Sequence, residues 1–133
     1  MDRRRAATPI VAYRDKQLVV WRVFRPSGLR LVGAIDTFNV RRVEDLLTGA
    51  LNGESDFDVH IDLSLIEFVD VSGIRAIVAA AEKADGRHRM ILHGLPPQMG
   101  RVMEVVGWSD LPTLVVAPET FPDGEKPQSE SGG

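Results

Sequence analysis

Cysteine is absent from the 133 residues, which excludes a disulfide framework and any thiolate metal site and suits a reducing compartment. Lysine is scarce, occurring only at Lys16, Lys83 and Lys126, and all basic residues together number 16 against 19 acidic ones, a formal net charge of -3. That balance does not build a surface for collecting nucleic-acid phosphate. No run approaches the ~20 apolar residues needed to span a bilayer, and Arg3, Arg4 and Arg5 are not followed by the apolar stretch of a secretory signal. The expectation is a cytoplasmic protein with no contact to membrane or nucleic acid.

Chemistry-bearing patterns are equally sparse. His60, His88 and His93 are scattered, with no i, i+4 pair to suggest metal ligation, so no metal and no cofactor are expected. No glycine-rich phosphate loop of the nucleotide-binding type occurs. Ser72 is not set in a nucleophile elbow, because the places two before and two after it hold Asp70 and Ile74 where glycines are required. A phosphoaspartate receiver would share an α/β rhythm and use Asp62 or Asp70, yet it needs a supporting lysine, and Lys16 and Lys83 fall in a first strand and a helix tail. The chain is therefore expected to have no catalytic residue and not to be an enzyme.

What is present is the pattern of one compact domain, with 44% hydrophobic and 26% charged residues. Residues 1–9 look like a flexible arm. Residues 118–133 mix Pro, Gly, Ser and Glu, with Phe121 almost alone as an apolar residue, and are expected to be a disordered tail. Between them lies a domain over 10–117. Lys16 to Phe24 and Leu29 to Ile35 read as a hairpin around the turn Pro26-Ser27-Gly28. Val43, Leu46, Leu47, Ala50 and Leu51 keep the spacing of one helix face, with Thr37 or Asn39 as candidate cap.

Phe57, Val59, Ile61 and Leu63 alternate with Asp58, His60, Asp62 and Ser64, which predicts a strand with one buried and one wetter face. A second helix is expected from about Ser72 to Ala84, closed by Gly86, with Ser72 or Asp70 as its cap. Met90 to Leu95 reads as a strand, Pro96-Pro97 opens a third helix through Met99, Val102, Met103 and Val106 to Gly107, and Thr113 to Ala117 closes the order as a strand. The alternation β-β-α-β-α-β-α-β predicts an α/β fold with parallel crossovers and helices mainly on one face.

Three segments carry a family resemblance: Gly33-Ala34-Ile35-Asp36 ending an early strand, Asp62-Leu63-Ser64, and Phe68-Val69-Asp70-Val71-Ser72-Gly73 entering the second helix. In these and in element order the chain resembles a STAS domain over about residues 16–117, in particular the anti-sigma factor antagonists. The resemblance implies a mixed sheet of about five strands with three or four helices, and a bacterial protein acting in transcription regulation by partner switching. In those antagonists the motif reads Asp-Ser-Ser-Gly or Asp-Ser-Thr-Gly, and the hydroxyl residue before the Gly takes a phosphate. Carried over, Ser72 is the phosphorylation site, and Asp36, Asp70, Val71, Gly73 and Arg75 form the partner-binding surface around it.

The implied partners are an anti-sigma factor serine kinase, which binds the unmodified antagonist, and a serine phosphatase that resets it. A helix N-terminus, with unpaired N–H groups and the positive end of the dipole, tolerates such a phosphate. Two departures stand out: Val71 replaces the first hydroxyl residue of the motif, and Arg75 stands one turn beyond Ser72, where it could pair with a phosphate. The alternative is a STAS assembly subunit of a lipid-transport or sensory complex that is not phosphorylated. Homodimerisation through an exposed sheet face is left open.

Overall fold

The computed structural model describes residues 8–53, 58–84, 88–118 and 121. Its elements are β1 (Ile10–Arg14), β2 (Leu18–Phe24), β3 (Ser27–Ile35), α1 (Val40–Leu51), β4 (Val59–Val69), α2 (Val71–Glu82), β5 (Met90–His93), α3 (Pro97–Val105), a single 3-10 turn (Trp108–Asp110) and β6 (Leu114–Val116). The six strands lie side by side in chain order. The expected hairpin is β2–β3, with Phe24 opposite Ser27. β1 adds an antiparallel edge strand outside it, so the sheet has six strands where about five were expected.

From β3 onward every neighbour pair is parallel, so each step needs a crossover. Crossovers of one hand along an unreversed strand order place their helices on the same side of the sheet. The core follows from this. Leu18, Val20, Leu29, Leu31, Ile61, Leu63, Met90 and Leu92 point to the helices and pack against Val43 and Leu47 of α1, Ile74, Ile77 and Ala81 of α2, and Met99 and Met103 of α3. α3 ends where Gly107 takes a left-handed φ of 79°. No helix among the described residues is long and apolar enough to cross a membrane.

β4 departs most from its sequence reading. It runs to Val69, and against β3 its register slips twice: Arg30 faces Asp62, Val32 faces Leu65, Gly33 faces Ile66 and Ala34 faces Phe68. Each slip is a bulge that inserts a residue and reverses which side the following ones take. Strict alternation would have sent Leu65 to the core with Leu63. Instead Leu65 is set opposite Val32 and is exposed, and after the second bulge Phe68 is exposed as well. Phe57, expected to begin this strand, and Gly86, expected to close α2, lie outside the described residues, as does most of the proposed arm and tail.

Two expectations about the sheet's second face are corrected. The polar side of β4 is drier than alternation implies, because Asp62 is 3% exposed and bonded to Arg30. Phe121, assigned to the tail, is 8% exposed and stands against His60, His93 and Arg30 on this face. One large ring there covers surface that a polar tail could not, which is why it is held.

Candidate functional site

The C-terminal ends of β3 and β4 meet at the pair Ile35–Val69, and the Asp70 N–H donates to the Ile35 carbonyl at 3.4 Å. Asp36 and Asp70, the next residue of each strand, therefore leave the sheet side by side. Asp36 folds into a tight turn, its carboxylate accepting from the Phe38 N–H at 2.9 Å, while its own N–H donates to Asn39 Oδ1 at 3.1 Å. Asn39 occupies the cap position of α1, but its side chain does not cap that helix. Its amide donates to Asp15 and to the Ala34 carbonyl, both at 3.1 Å, tying the β1–β2 turn to the end of β3.

Asp70, not Ser72, is the cap of α2. Its extended backbone and its Oδ1, which accepts from the Gly73 N–H at 3.0 Å, satisfy an otherwise unpaired helix donor. Ser72 is the second residue inside the helix, half-buried, and its hydroxyl donates to the same Asp70 oxygen at 2.5 Å. The Asp70 carboxyl is held below its usual pKa mainly by that hydroxyl, with the Gly73 and Ser72 N–H groups assisting and desolvation opposing. Gly73 is required by space: a Cβ there would meet Val69 Cγ2 at 2.5 Å and Ile35 Cγ2 at 2.9 Å, so α2 starts pressed onto the two strand ends.

Around this helix mouth the surface is apolar with an acidic rim. Phe68 is 56% and Val71 54% exposed, and Phe38, beside Asp36, is the most exposed large apolar side chain of the described residues. β4 pairs with β5 only as far as Asp62–His93, so its stretch from Leu63 to Val69 has no strand paired on that side. Between this open edge, the start of α2 and α3 lies a cleft of about 400 Å³, lined by Phe68, Asp70, Val71, Ile74, Met99 and Val102, with Glu67 also in its wall.

The structure thus brings Asp36, Asp70, Val71, Ser72 and Gly73 to one corner. Arg75, on the next turn, is exposed and has no ion pair with either aspartate. The motif reading missed Phe68, Leu65 and Phe38. Phe68 and Phe38 stood where the strand and helix patterns had no buried place for them, whereas alternation placed Leu65 in the core. Among the described residues no three His, Cys, Asp or Glu side chains converge as a metal site would require.

With that geometry in view, the family match is decisive. The family model described as "Mlab, STAS domain" matches residues 20–116, most of the chain. The chain belongs to the STAS family. Among solved structures, this STAS domain is similar to an anti-sigma factor antagonist from Mycobacterium paratuberculosis, with a TM-score of 0.55 and 20% identity over 84% of this chain and 85% of that one. It also matches the anti-sigma factor antagonist SpoIIAA in its unphosphorylated form, at a TM-score of 0.48 and 18% identity over 84% of this chain and 90% of that one. No curated protein matches the chain. The mixed helix-backed sheet expected from the sequence is the architecture observed.

Proposed function

We propose that this STAS domain is a non-catalytic protein-binding switch of the anti-sigma factor antagonist type. It docks an anti-sigma factor serine kinase on the corner of α2 and is switched off when Ser72 is phosphorylated; a serine phosphatase restores it. The observation that carries this reading is the position of Ser72. Its hydroxyl stands half-buried at a helix mouth, bonded to the capping Asp70 at 2.5 Å and next to the exposed side chain of Val71. A contiguous apolar surface with an acidic rim has the make-up of a protein contact, dry at its centre and polar at its edge.

Phosphate at Ser72 removes the proton that bonds Asp70 and adds about -1.5 to -2 charges. The helix dipole offsets part of the cost to the fold. An apolar partner surface has no such compensation, so the burden falls on docking.

The second reading is a constitutive STAS assembly subunit, in a lipid-transport or sensory complex. Two observations favour it: Val71 stands where the antagonists carry a hydroxyl, and the one hydroxyl left is already engaged by Asp70. Calorimetric titration of the cognate anti-sigma factor kinase into the chain separates the two. The antagonist reading predicts saturable binding that Phe68→Asp weakens about thirtyfold or more, the loss of one anchor of about 2 kcal/mol. Absence of binding to the kinase leaves the assembly reading.

A further inference from the structure

The sheet face turned away from the helices holds a cluster that the docking corner does not use. The register aligns Arg30 of β3, Asp62 of β4 and His93 of β5 in one row across the sheet, with His60 two residues before Asp62. The imidazoles of His60 and His93 stack, centroids 5.0 Å apart, with His60 Nδ1 and His93 Nε2 at 2.8 Å. The Phe121 ring stands nearly perpendicular to both, 6.4 Å from His60 and 5.2 Å from His93, and the Arg30 guanidinium lies 5.4 Å from its centroid. Arg30 in turn donates to Asp62 at 2.9 Å.

We infer that this cluster is a pH-sensitive latch: the His60–His93 pair, held by one shared hydrogen, seats Phe121 on the sheet face, and acidification unseats it. The proton count gives the reason. At 2.8 Å the two facing nitrogens share one hydrogen, so one ring donates and the other accepts. A doubly protonated pair would oppose two N–H groups, and the bond would be lost.

His93 is 5% exposed, and its Nδ1 has no hydrogen-bond partner. His60 is held below its usual pKa by burial first and by His93 second, with Asp58 pulling the other way.

The other charges facing the pair do not supply a free counterion. Asp58 is engaged by Arg89 at 2.8 Å, and Asp62 by Arg30 and by Ser64. His60, whose pKa is lowered by burial, gains its proton only as pH falls below about 6.5, and the shared-hydrogen bond fails once both facing nitrogens carry hydrogen, so the latched state is favoured above that pH and opposed progressively below it. Release would bare the row containing His60 and His93, extending the β4 surface already exposed at Leu65 and Phe68. Acidity would thereby alter the surface beside the docking corner without touching Ser72.

The test is proton NMR of the full chain from pH 8 to pH 5, following ring-to-ring NOEs between Phe121 and the two histidines. The expected result is strong NOEs at pH 7.5 that fall at least fivefold by pH 5, with a midpoint below 6.5. In the His60→Gln, His93→Gln double variant, contacts from Phe121 to Arg30 should not change over the same range. Undiminished NOEs at pH 5 in the wild type would overturn the inference. So would an equal loss in the double variant, which would show that the two histidines do not drive it. Phe121→Ala should abolish the pH-dependent change in the histidine shifts that accompanies release, while a mere unfolding transition would survive that substitution.

Discussion

Ser72→Asp is expected to weaken binding of the partner kinase by about a hundredfold or more while the chain stays folded. A new carboxylate at the second position of α2 gains from the helix dipole about 0.3–1 kcal/mol. It loses comparable stability through the nearby Asp70 carboxylate, which has also lost its hydroxyl donor. At the interface nothing offsets it. The charge must be buried against a surface that meets Phe68 and Val71, or face a partner acid. At ~6 Å and an effective dielectric of ~20, one pair of like charges costs roughly 3 kcal/mol before salt screening, and about 2.7 kcal/mol is a hundredfold. Calorimetry in low and moderate salt, with urea unfolding of the same variant, checks both halves. Ser72→Ala should bind within a few-fold of wild type, since it adds no charge.

Asp62→Ala is the substitution expected to damage the fold most. Asp62 is almost fully buried, its Oδ2 accepts from Arg30 Nε at 2.9 Å, and its Oδ1 accepts from the Ser64 N–H at 3.0 Å and the Ser64 hydroxyl at 2.7 Å. Removing the carboxylate takes the Asp62 partner from the Arg30 guanidinium on a largely covered face and frees the residues where the first bulge begins. Breaking one side of such a pair costs about 3–5 kcal/mol, and the partial exposure of Arg30, 22% for its side chain, puts this case near 3. The midpoint of urea unfolding reads the loss. Arg30→Met combined with Asp62→Leu should recover most of it, because an apolar pair in the same row leaves no charge unpaired. A cost for Asp62→Ala below about 1 kcal/mol would show that the pair is not part of what holds the face.

Periodicity revealed those parts of the chain whose burial is decided by neighbours close in sequence. The β2–β3 hairpin, the faces of α1 and α3 and the stop at Gly107 were legible because alternation, helical spacing and turn chemistry all act within a few residues. β1 was not. Ile10, Val11 and Tyr13 form an edge strand that is mostly exposed, so no buried alternation marks it.

The cap of α2 was left between two residues by the sequence. Ser72 and Asp70 are both good cap residues, and only the contact with the Gly73 N–H selects Asp70. The bulges in β4 were invisible because they belong to its pairing with β3, and the first of them decides that Leu65 faces outward. The histidine pair was hidden in the same way. His60 and His93 are far apart in the chain and meet only through the parallel register of β4 and β5. Phe121 looked like a stray apolar residue in a polar stretch until the face it covers was in view. Of the docking corner, the residues carried by the motif were readable, and the apolar surface that makes it a corner for a protein was not.

The site therefore combines a short motif legible in sequence with a surface that only the fold assembles, and the proposed switch turns on a single oxygen. The most direct measurement is phosphate transfer: the chain and its Ser72→Ala variant are incubated with the cognate anti-sigma factor kinase and ATP, followed by intact-mass and peptide mass spectrometry. The account predicts one phosphate on the wild type, mapped to Ser72, and none on the variant. A wild-type chain that binds the kinase yet takes no phosphate, or takes it equally when Ser72 is replaced, would contradict it.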